Sequence, residues 1–537
     1  MPGMPAPATV FPELPASLLS ALRAKLGEEH VSTREEDLLA CSRDMWPRSL
    51  IRQRAGAIEH PPAAVVWPGD EAQVAEVVRL AGAHGAPVVP FGAGSGVCGG
   101  TLPVRGGLIL DLKRLDRILA LDERDRLLEV EVGVMGEVLE RELVRRGFSL
   151  GHFPSSILCS TVGGWLAGRS AGQCSSRFGK IEDIVRSLRW VDAAGRVRET
   201  CLRPCGVSPG SLDALLLGSE GTLGVLTSAR LAVWPLARER WLRAFRFPDV
   251  DAGLRAMAGM LRAGLRPSVL RLYDEFDTLL ARSGKDDAGD PRESLSASLP
   301  ALALPARALL ARSLPMVLRA PRLLNRVTGL LPTGCLLVVI VEGGLAGGQA
   351  WRLAAERIPA LCVREGASDA GEGPALHWWK NRYAISYKQS GLFSAGAFVD
   401  TMEVAATWDR LPRLYRAVRK ALEPLAFVMA HFSHAYREGG SIYFTFAGAA
   451  EDDAGAAVLY DRIWDAAQAV VLSAGATVSH HHGVGFSKAR YLVRQLGPAQ
   501  ALAEHLKASL DPAGSMNPGK LGLGGGGAGE AHHGQAR

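Results

Sequence analysis

The sequence predicts an α+β protein built in two parts, with a helical N-terminal extension and a short C-terminal tail. Three features point there. Strand-length apolar runs and amphipathic segments alternate from Pro61 to Trp234. After Pro235 the pattern changes to longer helices and hairpins. The length, 537 residues, leaves room for two or three domains and a large core. The expected boundaries are 1–54 for the extension, 55–237 for the first domain, 238–521 for the second and 522–537 for the tail.

Taken in order, residues 16–48 read as a short helix and a loop packed on the first domain. Glu71 to Gly85 reads as a helix, because Val74, Val77, Val78 and Leu80 fall on one face. Leu108 to Leu112 and Leu128 to Val132 read as strands. Gly136 to Arg146 is a helix stopped by Gly147, and Asp192-Ala193-Ala194-Gly195 is a turn between strands. The Gly-rich tail from Gly522 is expected to be disordered, with His532 and His533 part of its composition rather than a metal site.

Composition narrows the class. A 47% hydrophobic, 22% charged chain is an ordinary globular one, and a net charge of +6 is too small at this length to argue for nucleic acid. Eight scattered cysteines without a C-x-x-C pair suggest reduced thiols rather than a disulfide framework. The N-terminus lacks the basic and apolar regions of a secretory signal, and no apolar stretch is long enough to span a bilayer. The C-terminus, Gly534-Gln535-Ala536-Arg537, carries no peroxisomal address. A cytoplasmic location is therefore expected.

The chain turns on one Gly-rich stretch. An extended run from Ala86 leads into Pro90-Phe91-Gly92-Ala93-Gly94-Ser95-Gly96. Glycines tolerate positive φ and carry no Cβ, so several backbone N–H groups can converge on one anion such as a pyrophosphate. A tight surface turn is the alternative. The stretch is not the G-x-G-x-x-G fingerprint between strand and helix, because the following TLPVRGGLILDL reads as strand.

Two segments of the second part stand out. From Ser294 to Val341 there is no Asp or Glu, while Arg307, Arg312, Arg319, Arg322 and Arg326 are interleaved with Leu, Met and Val. Such a surface suits peripheral contact with an anionic membrane, expected through 294–332; the alternative is a buried helix pair whose arginines reach solvent along its edges. Farther on, Ser479-His480-His481-His482-Gly483-Val484-Gly485 sets three imidazoles beside a Gly-rich turn. On a strand, adjacent side chains point to opposite faces, so three in a row do not converge on one metal. Acid/base or anion-binding work is expected, with no metal.

Further stretches turn these features into a resemblance. Pro154-Ser155-Ser156-Ile157-Leu158-Cys159-Ser160 runs on to Ala167-Gly168-Arg169-Ser170, and Gly218-Ser219 is followed by Glu220-Gly221-Thr222-Leu223-Gly224-Val225-Leu226. With the Pro90–Gly96 turn and the lead-in Pro61-Pro62-Ala63-Ala64-Val65-Val66-Trp67-Pro68, they resemble the FAD domain of vanillyl-alcohol-oxidase type flavoproteins. The resemblance implies a two-subdomain FAD-binding domain with a larger α+β cap. It also implies FAD held by small residues and backbone amides of these stretches; that the FAD is non-covalent is implied by the narrower resemblance drawn next.

Within that type, the D-lactate and glycolate dehydrogenase branch has a metal-binding H-x-G-D-G-N-x-H and a later G-E-H-G-I-G. Here the matching segments are His431-Phe432-Ser433-His434 continuing to Ser441-Ile442-Tyr443-Phe444, and His480-His481-His482-Gly483-Val484-Gly485. Tyr443 stands for the last His and His481 for the Glu, which removes two metal ligands. These replacements, with Gly151-His152, Arg271, Glu403 and Trp408-Asp409-Arg410, resemble the alkylglycerone-phosphate synthase family over nearly the whole chain.

That resemblance implies exchange of the acyl chain of acyl-dihydroxyacetone phosphate for a fatty alcohol, without net redox change. Tyr443 would be the general acid/base, although an unperturbed phenol titrates near ~10. His480, His481 and His482 would position it and the departing carboxylate. Arg271 would hold anionic substrate or support the pocket, and Gln389 and Thr401 would contact substrate. Without the resemblance, Tyr443 reads as a core aromatic between Ile442 and Phe444, and Arg271 as an ion-pair partner of Asp274. One departure matters: Tyr387-Lys388-Gln389-Ser390 stands where the family has an Arg, and Gln389 supplies no charge. The partners expected are a lipid-like substrate and a second copy in a homodimer. A flavin-dependent dehydrogenase or oxidase of a hydroxy acid or alcohol is the second function class.

Overall fold

The computed structural model describes residues 10–202, 212–278, 315–329, 334–343, 350–383, 393 and 396–524. In the first half, strands lie in the order Val31–Ser32, Ala64–Val66, Leu108–Asp111 and Val88–Phe91. The last three are parallel and carry the near-continuous apolar runs of strands covered on both faces. The helix Glu71–Ala83 buries Val74, Val77, Val78 and Ala81, and Asp70 caps it by accepting from Gln73 N at 2.8 Å. Strand character after Gly100 is confined to Leu108–Asp111; the preceding residues form turns that deliver the chain to Gly107 at φ +88°.

A second, antiparallel sheet orders Ile118–Asp122, Leu127–Glu131, Val225–Ala232, Val185–Val191 and Val197–Glu199. Glu71, at the start of its helix, binds Arg189 at 2.5 Å and accepts from Thr227 Oγ1 at 2.6 Å, which locks the two sheets together. The expected turn before Val197 is present, with Gly195 N donating to Asp192 O.

The second half is a seven-stranded sheet. Its order is Ser368–Gly371, Glu239–Phe247, Cys335–Gly343, Val269–Tyr273, Phe427–Ala435, Gly439–Gly448 and Phe398–Thr407, antiparallel throughout. One face meets the helices Val250–Arg262, Ala350–Arg364, Leu411–Leu422 and Asp453–Ser473 in an apolar core that includes Leu270, Leu272, Phe432, Ile442, Phe444 and Phe446. On the other face, Val269, Tyr273 and Trp378 pack with Cys174 and Phe178 of the first half.

Three expectations are corrected. The N-terminal extension does not stay on the first half. Ala16–Leu26 packs there through Leu18, Leu22 and Leu26, but Trp46 and Ile51 belong to the core of the second half. Trp46 Nε1 donates to Tyr460 OH at 3.0 Å, and the following helix Pro47–Arg54 places Arg54 on Asp453. The tail does not begin at Gly522, since Leu523 is buried and its N–H donates to Lys520 O; residues 525–537 lie outside the described residues. Finally, Asp274 is not the partner of Arg271: it pairs with Arg419 at 3.1 Å and accepts from Tyr415 OH and Ala430 N.

Of the acid-free basic segment, Arg307 and Arg312 lie outside the described residues. The helix Pro321–Gly329 is anchored by Asn325, which donates to Ala426 O at 2.9 Å, while Met316 and Leu323 are exposed. Among the described residues no helix is long and apolar enough to cross a membrane. Cys41, Cys98, Cys159, Cys174, Cys201, Cys335 and Cys362 are unbridged.

Candidate active site

Strand alternation builds the site. In Gly439–Gly448 the apolar Ile442, Phe444 and Phe446 point into the helix-covered core, which sends Tyr443 to the opposite face. Tyr443 is the one partly exposed residue of an otherwise buried strand. It is therefore not a core aromatic. Register does the rest: Tyr273 lies opposite His431, His431 opposite Tyr443, and Tyr443 opposite Glu403. One polar row thus crosses four strands of the large sheet. Thr401, two residues from Glu403, lies opposite Thr445 on the same face. A register irregularity between Phe432 and Ala435 re-aims His434, whose ring lies 4.5 Å from that of His481.

His480, His481 and His482 lie in an irregular loop and not on a strand, so the alternation argued from sequence does not govern them. Two of them meet on Tyr443. His481 Nε2 is in hydrogen-bond contact with the phenol oxygen, and His482 Nε2 stands 3.3 Å from it. His480 Nδ1 lies 2.8 Å from His481 Nδ1. His431 stacks on the Tyr443 ring with centroids 4.8 Å apart, and its two nitrogens face Arg271 at 2.7 Å and Asp277 at 3.0 Å. A guanidinium only donates, so His431 Nε2 accepts and Nδ1–H donates to Asp277. Arg271 is a buried cation whose Nε has no partner among the described residues.

Glu403 organises the loop. It is fully buried and accepts from the backbone N–H of His480 and of His482, from Ser479 Oγ at 2.7 Å and from Lys488 Nζ at 2.9 Å. From the other side, Glu220 accepts from Val484 N at 2.6 Å and Gly485 N at 2.8 Å. The loop is held between two carboxylates, the fully buried Glu403 and the partly buried Glu220.

Burial sets the electrostatics. It pushes His480 and His482 down to about 4 and His481, His434 and His431 well below the usual imidazole value. It pushes the Tyr443 phenol up. Burial would also raise Glu403, but Lys488, with His482 and His480, outweighs it and holds that carboxyl at about 2. At neutral pH the site is thus a protonated phenol among neutral imidazoles over one anchored carboxylate. Among the described residues no group of three or more His, Cys, Asp or Glu side chains is placed to hold a metal.

Next to this site the Gly-rich stretches converge. A Cβ on Gly92 would stand 2.5 Å from Thr161 Oγ1, and one on Gly221 (φ +76°) 2.8 Å from Pro90 Cγ. Glu220 N donates to Ala167 O and Gly218 N to Leu166 O, joining the last stretch to the middle one. The turn Gly92–Gly96 stays partly open to solvent, as do Ser155, Ser156, Leu158, Cys159, Gly168, Arg169 and Ser170. Pro154, Ile157, Ser160 and the run Gly221–Leu226 are buried, so their part is backbone and scaffold. Small residues, open backbone and positive-φ glycines around one cleft fit an extended, phosphate-bearing cofactor.

Comparison with known proteins decides the family. Residues 62–200 match the model of an FAD binding domain, and residues 237–521 that of the C-terminal domain of FAD-linked oxidases. The chain belongs to the FAD-linked oxidase family. Within it, the chain is 30% identical over 496 residues to the alkyldihydroxyacetonephosphate synthase of Trypanosoma brucei brucei, covering 89% of this chain and 75% of the relative. It is 28% identical over 488 residues to that of Dictyostelium discoideum, covering 88% and 75%. An uncharacterised FAD-linked oxidoreductase of Escherichia coli (strain K12) is 24% identical over 525 residues, covering 94% and 98%. A solved alkyldihydroxyacetonephosphate synthase superposes with a TM-score of 0.75 at 25% identity, over 95% of this chain and 86% of the other. Substrate-bound p-cresol methylhydroxylase shares the fold, with a TM-score of 0.69 at 15% identity over 94% and 96%. Tyr443 and Arg271 thus share one sheet face, and the loop His480–His482 meets Tyr443 there while its Val484 and Gly485 bind Glu220 of the last Gly-rich stretch.

Gln389 lies outside the described residues, with Tyr387 and Lys388. The Glu220 side chain is spent on the histidine loop, so Glu220 ties the cleft to the site rather than lining the cleft with its carboxylate. Lys488 was missed, as were the roles of His431, His434 and Asp277. A period-2 signal was there to find: Met402 separates Thr401 from Glu403, Phe432 separates His431 from Ser433, and Ile442 and Phe444 separate Ser441, Tyr443 and Thr445.

Proposed function

We propose that the protein is an FAD-dependent alkyl transferase of the alkylglycerone-phosphate synthase kind, exchanging the acyl chain of acyl-dihydroxyacetone phosphate for a fatty alcohol. The observation that carries this reading is the Tyr443 phenol, held between His481 and His482 with no metal-binding cluster among the described residues. In the exchange, the bond from the three-carbon unit to the acyloxy group breaks and the alcohol oxygen takes its place. A carboxylate and one proton are released.

The backbone of Gly92–Gly96 and the stretches around Ser155–Ser160, Ala167–Ser170 and Glu220–Leu226 would hold FAD. Bound FAD supplies an electron-poor ring, and the exchange returns it at its starting oxidation level. Tyr443 passes the alcohol proton on: its oxygen receives that proton as its own moves to His481 Nε2. A free phenolate, which burial disfavours, is then never needed. Arg271 provides a fixed positive charge for the anionic end of the substrate, a role that Gln389 cannot fill.

An anaerobic flavin spectrum tests the reading. Bleaching by acyl-dihydroxyacetone phosphate, with recovery on adding fatty alcohol and no electron acceptor, is expected. Bleaching by a hydroxy acid, with recovery only on an acceptor, overturns it in favour of a dehydrogenase.

The substrates are lipids, and the surface around Pro321–Gly329 suits a bilayer. Exposed Met316 and Leu323 stand among exposed Arg319, Arg322 and Arg326, a combination that favours anionic lipid. Co-sedimentation with anionic vesicles should fall when Met316 and Leu323 are both replaced by Asp; unchanged binding rules this surface out.

A further inference from the structure

The first Gly-rich turn offers an anion a row of amides, and something has to aim them. Among the described residues, none of the backbone N–H groups from Gly92 to Gly96 donates to a protein acceptor. Two carbonyls of the same stretch are held by described partners. Gly96 O accepts from Met45 N at 2.8 Å, and Gly92 O accepts from Lys113 Nζ at 3.1 Å. The first is a backbone contact. The second hangs on one side chain.

Lys113 is built into place for it. The strand before it, Leu108–Asp111, pairs in parallel with Val88–Phe91, so Lys113 starts beside the point where the turn begins. Its ammonium binds Asp111 Oδ2 at 2.5 Å. Asp111 is buried, and it is fixed in turn by Trp67 Nε1 and by Lys113 N, each at 3.1 Å. The ammonium also lies 5.1 Å from the centre of the Phe91 ring. That ring fills the space beside Gly94, where a Cβ would stand 2.7 Å from Phe91 Cζ. Carboxylate, ring and carbonyl thus share one cation and hold its long side chain in a single direction. The side chain is 42% exposed, so the core does not depend on it.

The consequence lies in the peptide unit. A trans peptide is planar, and its C=O points opposite to the N–H of the next residue. Holding the Gly92 carbonyl toward Lys113 turns the Ala93 N–H to the other side. Gly94 follows at φ +64°, the kind of bend that lets neighbouring N–H groups gather on one concave side. Gly92 has no Cβ to restrict rotation of its peptide, so the direction of that amide has to be imposed from outside.

We propose that Lys113 is a positioning residue for FAD, holding the Gly92 carbonyl so that the Ala93 amide faces the cofactor's diphosphate. Lys113 acts by fixing a peptide's direction, since its charge is already spent on Asp111. The inference depends on FAD binding at this turn and not on which reaction the flavin serves.

The test uses the full-length protein with Lys113→Met, Lys113→Arg and the double variant Asp111→Asn/Lys113→Met, which leaves the local net charge unchanged. FAD titrated into apoprotein should bind Lys113→Met about 10-fold more weakly than wild type, as read from quenching of flavin fluorescence. The melting temperature of that apoprotein should stay at the wild-type value. A wild-type Kd, or a weaker Kd accompanied by a lower apoprotein melting temperature, overturns the proposal. The double variant should bind as weakly as Lys113→Met; recovered affinity would mean that charge balance and not peptide direction matters, which also overturns it. Lys113→Arg keeps a donor and should bind within about 3-fold of wild type, whereas an affinity as poor as that of Lys113→Met counts against the proposal. With FAD saturating, phosphorus NMR of Lys113→Met should show displaced diphosphate signals under an unchanged visible flavin spectrum. Undisplaced signals would put the effect of Lys113 elsewhere and sink the idea.

Discussion

Glu403→Gln changes one oxygen for one NH2 at the buried anchor of the histidine loop. Its partner Lys488 is almost fully buried, and its ammonium would lose the one ion pair it makes among the described residues. Breaking a buried pair from one side costs about 3–5 kcal/mol. The amide also keeps one acceptor oxygen where the carboxylate serves four donors. At least one backbone N–H, of His480 or His482, is left unsatisfied at about 1–3 kcal/mol. The sum, about 4–8 kcal/mol, is a large part of an ordinary stability of about 5–15 kcal/mol. Urea unfolding followed by tryptophan fluorescence should show the loss. A double-mutant cycle isolates its origin: adding Lys488→Met removes the stranded charge, so the double variant should be more stable than Glu403→Gln alone by about 2–4 kcal/mol. If the two single effects simply add, to within about 0.5 kcal/mol, the ion pair is not what holds the loop, and the reasoning fails.

Other outcomes follow from the same geometry. Tyr443→Phe should lower kcat by about 10²- to 10⁴-fold with FAD still bound, as read from turnover and the flavin spectrum; an unchanged kcat removes the phenol from the reaction. Gly221→Val should purify without flavin, because its φ of +76° is strained for Val and the Cβ would sit 2.8 Å from Pro90 Cγ; normal flavin absorbance would refute the convergence of the stretches. His480 and His482 should stay neutral from pH 8 down to about pH 5 and protonate as pH falls through about 4. Their folded values lie below the unfolded value near ~6.5, so the unfolded chain takes protons first. Their contribution to stability is full above that value and lost as pH falls to about 4. An NMR titration with midpoints near ~6.5 would contradict the burial argument.

Much of this was legible in the sequence for reasons that can be named. Helix Glu71–Ala83 and strand Leu108–Asp111 follow from periodicity and apolar runs, which are local. The cofactor stretches were legible because Gly in a turn answers a local backbone demand. The crossing of Trp46 to the second half was not, since its partner Tyr460 is 414 residues away. The error over Arg271 has a similar cause. Asp274, three residues on, was the near candidate, but strand pairing carries Arg271 to His431, while Asp274 meets Arg419. Lys488 carried no signal in the sequence, because its partner Glu403 reaches it only through the fold. The treatment of three histidines as a strand failed because Glu403 and Glu220, both far away in sequence, fold them into a loop.

Residues 507–520 have one more consequence. Lys507 Nζ donates to Thr222 O, Asn517 Nδ2 to Gly100 O and Glu220 O, and Lys520 Nζ to Leu102 O. Ser515 and Asn517 also bond the backbone of Val88, beside the first Gly-rich turn. These are the last of the site-building residues to leave the ribosome, yet they brace the stretches made first. A nascent chain can form its early sheets while the flavin cleft still lacks this brace. Flavin capture is therefore expected to follow synthesis rather than accompany it, and a truncation before Lys507 should yield colourless protein even with every cleft residue present.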